Sequence, residues 1–455
     1  MSKRNFEIDM CNGPIFSKLV SFALPLCLSS ILQLMFNAVD IIVVGRFTGK
    51  EALAAVGATT ALIQLMTNLF IGISLGANVL SARYFAAKKG RELSETVHTS
   101  VLFAFLVGVV MLFVGQVLSR PALKLMATPD NIIDLSAQYM KIYFCGMPFF
   151  MLYNYGAAIL RAVGDTKRPL IYLVISGVVN AVLNCILVAV FNMGVAGVAI
   201  ATVVSQMLSC LFTLGCLFKS KSDYKLSFTK LRINQKHLLA MMKIGLPAGI
   251  QSCVINLSNS LLQSSVNSFG DTAMAGYAAA NNLFGFMYAA VNSITQTCMS
   301  FTSQNYGAGK PDRMDKIFRD CVAIQIVFPL AMGTLVYVFA GQLLSIYNTD
   351  PEVISFGIEV LAYTAVTYFI CGLMDMFPGA LRGLGASTIP MILSVVGTVG
   401  TRIVWIFGVF PSHRSVKFLF ISYPLSWIIT LIMQIVCYGI VRKKVYSELR
   451  LRKGM

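Results

Sequence analysis

The chain has 455 residues, 57% of them hydrophobic and only 12% charged, with a mean hydropathy of +0.75. That composition excludes a soluble domain and fits a chain with many bilayer-length apolar runs; the runs are continuous rather than alternating, which excludes a β-barrel. The formal net charge of +17 would suggest nucleic acid on a soluble protein, but on a membrane protein it is first to be compared with the loop charges.

Twelve spans are predicted, centred on residues 15–44, 52–80, 97–118, 132–160, 169–191, 195–218, 238–265, 273–301, 317–340, 353–381, 388–410 and 416–441. Each is near or above the ~20 residues that a bilayer needs. The first run is too long, and lacks a convincing small-residue cleavage site, to read as a removable signal, so it is expected to remain as the first span. That span carries Asp40 between Val39 and Ile41-Ile42-Val43-Val44. An acid there costs about 3 kcal/mol on insertion scales, so it is expected to face water or a partner and to have a function. Gln33, Asn37 and Asp40 share one helix face at i, i+4, i+7, with Ser30 one step further. Pro25 removes a backbone donor earlier in the span and allows a bend.

The later spans carry their own polar stripes. Gln64 and Asn68 lie one turn apart in the second span, and Asn154 shares a face with Tyr143 and Phe150 in the fourth. Asn180 with Asn184, and Thr202 with Gln206, are i, i+4 pairs in the fifth and sixth. In the second half Asn256, Asn259 and Gln263 form one stripe, and Asn281, Tyr288, Asn292 and Gln296 another. Such amides can be interhelical glue, worth about 0.6 kcal/mol each. Their convergence with Asp40 in the first half favours a hydrated cavity there, lined by Gln33, Asn37, Gln64, Asn68, Asn154, Thr202 and Gln206. Asp375 and Arg402 lie in adjacent spans and can form an ion pair, with a structural or a coupling role. The segment Lys219–Lys243 reads as a solvated basic linker, with a surface helix at 234–243.

With the N-terminus inside, 28 of the 36 Lys and Arg residues fall on the cytoplasmic side. This bias puts both termini in the cytoplasm and accounts for the +17 without nucleic acid. The chain also repeats. ALAAVGA (52–58) matches AMAGYAA (273–279), LRAVGDTKRP (160–169) matches LRGLGASTIP (381–390), and TPDNIIDL (128–135) lies over TDPEVISF (349–356), all at an offset of 221. Leu24-Pro25 matches Leu246-Pro247 at 222. The fold expected is an all-α polytopic membrane protein of twelve helices in two parallel six-helix repeats. The lobes are expected at 1–218 and 237–455, joined by a cytoplasmic linker at 219–236. Two such lobes suit alternating access around a midplane cavity. The counterpart of Asp40 is Leu261 or Leu262, which favours function over architecture for that acid; those of Asp375 and Arg402 are Asn154 and Ala181.

An enzyme is not expected. His98, His237 and His413 do not suggest a metal pair, no phosphate loop of the GxxxxGK[ST] type is present, and the eleven cysteines read as small buried hydrophobes. Without ATP hydrolysis, transport has to run on an ion gradient or downhill. A carboxylate at Asp40 can exchange a proton, or hold Na⁺ or a cationic substrate.

VDIIVVGRFTGKEALAAVG (39–57), LRAVGDTKRP (160–169), NAVLNCILV (180–188), GVAGVAIATVVSQ (194–206) and LRGLGASTIP (381–390) resemble the multidrug and toxic compound extrusion (MATE) family, in its DinF-like prokaryotic branch. The resemblance covers nearly the whole chain. It implies a twelve-helix antiporter of the plasma membrane that expels organic cations or other amphipathic compounds in exchange for H⁺ or Na⁺, with no cofactor. It places the family's first-span acid at Asp40 and its fifth-span Asn at Asn180. The neighbouring acid of that branch falls at Asn184, where this sequence supplies an amide. The expected function is therefore secondary antiport of drugs or metabolites, with ion or proton coupling at Asp40, Asn180 and Asn184. Small-molecule cations and membrane lipids are the expected partners and the monomer the expected state. A lipid-linked precursor flippase and an ion channel are the alternatives; the flippase would need a cationic cavity for phosphates.

Overall fold

Within hydrocarbon a backbone N–H or C=O finds no water, so a chain of this composition has to satisfy its polar groups inside helices. The computed structural model describes residues 6–126 and 128–452, and every regular element among them is helical. The first half runs α1 (Ile15–Phe47), α2 (Lys50–Ala86), α3 (Gly90–Leu125), α4 (Asp130–Cys145), α5 (Met147–Ala162), α6 (Lys167–Asn184) and α7 (Gly194–Lys219). The second runs α8 (Gln235–Asn267), α9 (Asp271–Gly307), α10 (Pro311–Val338), α11 (Ala340–Ser345), α12 (Pro351–Thr364), α13 (Tyr368–Gly383), α14 (Thr388–Ser394), α15 (Thr401–Val404) and α16 (Val416–Arg452).

Among the described residues nine helical segments are long and apolar enough to cross a bilayer, and α12 with α13 makes a tenth that bends by 50°. The pair α4 and α5, and the more polar α9, complete the twelve expected spans. Four expected helices are not continuous, among them the span at 169–191, which passes into a π-helical turn at Cys185–Val190. The span at 132–160 breaks at Gly146, whose N–H turns to Tyr143 O at 2.9 Å, because Pro148 two residues on has no N–H to carry the ladder forward. The span at 353–381 bends between α12 and α13. The span at 388–410 passes through π-helical turns at Val395–Gly400 and Trp405–Val409. The surface helix expected at 234–243 is instead the start of α8, continuous with the seventh span.

The repeat is visible in the backbone. Gly49 and Gly270 (φ 98° and 97°), Lys88 and Gly309 (55° and 64°), and Gly164 and Gly385 (99° and 91°) all occupy the left-handed region, each pair 221 residues apart. Turns that need positive φ are sparsely accessible to residues with a Cβ, so their recurrence in register marks two copies of one six-helix design.

Two compact units divide the chain. One takes the residues up to Asp9 with Leu28–Gly249; the other takes Met10–Cys27 with residues from Ile250 onward. The chain therefore changes units inside α1, two residues after Pro25, and inside α8, two residues after Pro247. In the first unit, Asn78 donates to Ala158 O at 2.9 Å and Tyr155 to Phe70 O at 3.2 Å, tying α2 to α5. Phe36 of α1 lies flat against Gly177 of α6, where any side chain would overlap the ring. The basic linker is stitched to α3: Ser227 N–H donates to His98 Nε2 at 3.0 Å, and Glu95 takes Asn234 at 2.7 Å and His237 at 3.2 Å.

The second unit has an aromatic core that includes Tyr277, Phe284, Tyr368, Phe420, Tyr423 and Trp427. It also holds the segment before α1: Arg313 donates to Met10 O, Asn12 O and Gly13 O at 3.2, 3.1 and 2.9 Å, and Lys310 to Cys11 O at 2.8 Å. Arg442 of α16 grips Asp315 of α10 with two bonds of 2.7 and 2.6 Å.

Candidate functional site

Three helices of the first unit converge on one carboxylate. The Phe36–Gly177 contact holds α1 against α6 one turn before Asp40 on the one and Asn180 on the other. Asp40 is 8% exposed, and Asn180 and Asn184 are buried. Asn184 Nδ2 donates to Asp40 Oδ1 and also reaches Asn180 Oδ1 at 3.2 Å. From α7, Thr202 Oγ1 lies 3.4 Å from Asp40 Oδ2 and 3.0 Å from Val198 O. Asn184 closes α6, and a π-helical turn, Cys185–Val190, follows at once; such turns widen a helix and recur at functional sites.

The site is rich in acceptors and short of donors. Asn184 Oδ1 and, one turn beyond Thr202, Gln206 Oε1 are buried with no hydrogen-bond partner. The Gln206 amide bonds to Tyr143 of α4, which stacks on Tyr139 at 6.1 Å; both tyrosines lie within electrostatic reach of Asp40. Among the described residues no Lys, Arg or His forms an ion pair with Asp40. A buried carboxylate without a counter-charge is expensive in an apolar medium. It can accept a proton, a small cation or a cationic group. No set of three or more His, Cys, Asp or Glu among the described residues could hold a metal ion, so a cation here would rest on one carboxylate and neutral oxygens.

The structure thus brings together Asp40, Asn180, Asn184 and Thr202, with Gln206 alongside. The other residues of the expected lining stand apart from this hydrogen-bonded group. Gln33, Asn37 and Gln64 are exposed, Asn68 is half-buried, and none of them bonds to Asp40. Asn154 turns its amide back to Phe150 O of its own helix at 2.8 Å. Periodicity put Gln33, Asn37 and Asp40 on one face, but a face spans a wide arc and only its last member meets α6. Tyr139 was missed. Its spacing of four from Tyr143 was the available signal.

In the second unit Asp375 and Arg402, which could have paired, form no ion pair with each other. The hydroxyl of Tyr288 bonds to Asp375, and Arg382 is the cation that acts on it. Arg382 in turn donates to Gln251 Oε1 at 2.6 Å. Arg402 is only 3% exposed; its Nη1 donates to Asn259 Oδ1 at 2.7 Å, and its guanidinium carbon lies 4.5 Å from the centre of the Tyr423 ring. Adjacent spans were enough to suggest a pair, but each charge faces a different neighbour.

The MatE family model matches residues 25–186 and, a second time, 247–407. The two matches are offset by 222 residues at their starts and 221 at their ends, the spacing of the internal repeat. The probable multidrug resistance protein YoeA of Bacillus subtilis (strain 168) is 30% identical over 434 residues, covering 93% of each chain. The multidrug export protein MepA of Staphylococcus aureus (strain MSSA476) is 21% identical, covering 84% of this chain and 85% of its own. A solved outward-facing structure of a multidrug resistance MATE family transporter superposes with a TM-score of 0.87 at 20% identity, covering 97% of this chain and 98% of that one. With two matched halves, a relative alignable almost end to end and the fold in common, the chain belongs to the MatE family of multidrug efflux transporters.

Proposed function

We propose that this protein is a secondary active antiporter that exports cationic or amphipathic small molecules in exchange for H⁺ or Na⁺ by alternating access. One observation carries the reading: a buried carboxylate, Asp40, held by an amide and a hydroxyl and left without a counter-cation. Such a group is stable only while neutralised, so a proton or Na⁺ and a cationic substrate compete for it, and competition for one charge is the simplest form of exchange. Asn180 and Asn184 position the carboxylate, and Thr202 and Gln206 offer further oxygens. The relatives named as multidrug proteins support a broad substrate range. The lobes at 1–218 and 237–455, joined by 219–236, are the proposed moving bodies, with the starts of α1 and α8 exchanged between them. The bias of Lys and Arg supports cytoplasmic termini, and a multi-pass monomer of the plasma membrane completes the proposal.

Proteoliposomes with separately imposed pH and Na⁺ gradients test the reading. Efflux of a cationic dye should follow one of the two gradients and collapse in Asp40→Asn, which cannot carry the exchanged charge. Wild-type efflux in that variant, or indifference to both gradients, would falsify the antiport assignment.

A further inference from the structure

The second unit buries a cation for which it supplies no acid. Arg402 sits in α15, flanked on both sides by π-helical turns of the eleventh span. One nitrogen of its fork is taken by Asn259, and one face of the guanidinium by Tyr423. Its Nε is buried with no hydrogen-bond partner, and no carboxylate among the described residues forms an ion pair with it. Asp375 bonds to Tyr288, and the cation acting on it is Arg382. The Tyr423 hydroxyl is matched to that of Tyr277 at 2.8 Å, which leaves the ring face for the arginine.

A buried unpaired guanidinium is as expensive as an unpaired carboxylate. Its five donors form a planar fork suited to two-point binding of carboxylate or phosphate. The location adds to the argument. Asn259, Arg402 and Tyr423 belong to the seventh, eleventh and twelfth spans, which the repeat equates with the first, fifth and sixth. Those are the spans that supply Asp40, Asn180 with Asn184, and Thr202. At the offset of 221, Arg402 falls on Ala181 and Tyr423 on Thr202. The same three-helix junction is built twice, once around an acceptor and once around a donor. Asn259 is half-buried, so the donor junction reaches the molecular surface on its α8 side.

We propose that Arg402, with Asn259 and the face of Tyr423, is a subsite for the carboxylate or phosphate of a transported small molecule. The protein then selects substrates that carry an acidic group, zwitterions included, and not organic cations alone. This refines the substrate class and rests on the transport reading above.

The test uses two dyes that differ by one charge, rhodamine 19, a free acid, and rhodamine 6G, its ethyl ester. Their binding to the purified full-length protein in detergent is followed by fluorescence anisotropy. Arg402→Gln is expected to weaken the free acid by about tenfold or more, the scale of one or two charge-assisted hydrogen bonds, and to leave the ester within about twofold. Arg402→Lys should keep part of the preference, since it retains the charge without the fork. Benzoate should displace the acid but not the ester from the wild type, an arm that needs no variant to fold. Acid binding that ignores both Arg402→Gln and benzoate overturns the proposal, as does an equal loss of both dyes. Displacement by phosphatidylglycerol, but by neither benzoate nor inorganic phosphate, gives the arginine to a lipid headgroup and overturns the substrate assignment. The antiport reading fails separately, through unimpaired efflux of the ester dye in Asp40→Asn, and that result leaves the Arg402 preference standing.

Discussion

Asn184 spends its amide on Asp40 and keeps its own oxygen buried and unmatched. Asn37, one turn before Asp40 on α1, is exposed and bonds to neither. The two asparagines should therefore separate in experiment. Removing a hydrogen bond to a buried charged group costs about 1.5–3 kcal/mol. Asn184→Ala is expected to lower dye efflux by about tenfold or more, whereas Asn37→Ala should stay within about twofold of wild type. Equal effects would mean that the amide beside the carboxylate has no special part. These residues also show what sequence can carry. A lone acid or an asparagine pair inside a run of aliphatic residues is conspicuous because hydrocarbon penalises it, and Asp40, Asn180 and Asn184 stood out for that reason. Asn259 and Tyr288 lay in polar stripes too, but their pairing with Arg402 and Asp375, and that of Tyr423 with Arg402, did not stand out, because they reach across helices whose rotation no spacing rule encodes.

The carboxylate is placed by a contact made a turn away from it. Phe36 lies on Gly177, and the absence of a side chain there lets α1 approach α6 closely enough for Asn184 to meet Asp40. Gly177→Ala forces the ring to move, with an overpacking cost of about 1–3 kcal/mol. It should depress efflux without touching a polar group of the site. Trimming the ring in the double variant Gly177→Ala, Phe36→Leu should recover much of the loss. If the double variant is no better than the single one, the contact does not set the helix position. The number and order of the spans were legible, because length and apolarity decide them. Their breaks were less so. Gly146 with Pro148 contains a familiar breaker, yet the π-helical turns around Asn184 and Arg402 carry no local sequence rule. They arise where a helix yields one residue of register to tertiary packing.

At the scale of the whole molecule, the boundary between compact units does not follow the linker. Met10–Cys27 belongs with residues after Ile250, and residues 237–249 belong with the first unit. A cut in the linker thus separates each unit from part of its own packing. Residues 1–236 and 237–455 expressed apart are expected to be degraded or to aggregate, and expressed together to restore dye efflux. Stable accumulation of either half alone would show that the exchanged segments are dispensable. Repeat matching could not show this exchange, since both copies carry it alike, two residues after Pro25 and after Pro247.

The exchange also sets an order of events during synthesis. The ribosome delivers Met10–Cys27 first, yet their neighbours Asn305, Lys310 and Arg313 arrive almost three hundred residues later. Until then the opening half of α1 sits in the bilayer without its final company, while the first unit waits for Gly249. Native packing of the first unit can therefore close only after Gly249 has emerged, and that of the second waits for the residues that follow. A stalled or truncated chain displays unfinished helix surfaces to the membrane's quality-control proteases from its first span onward.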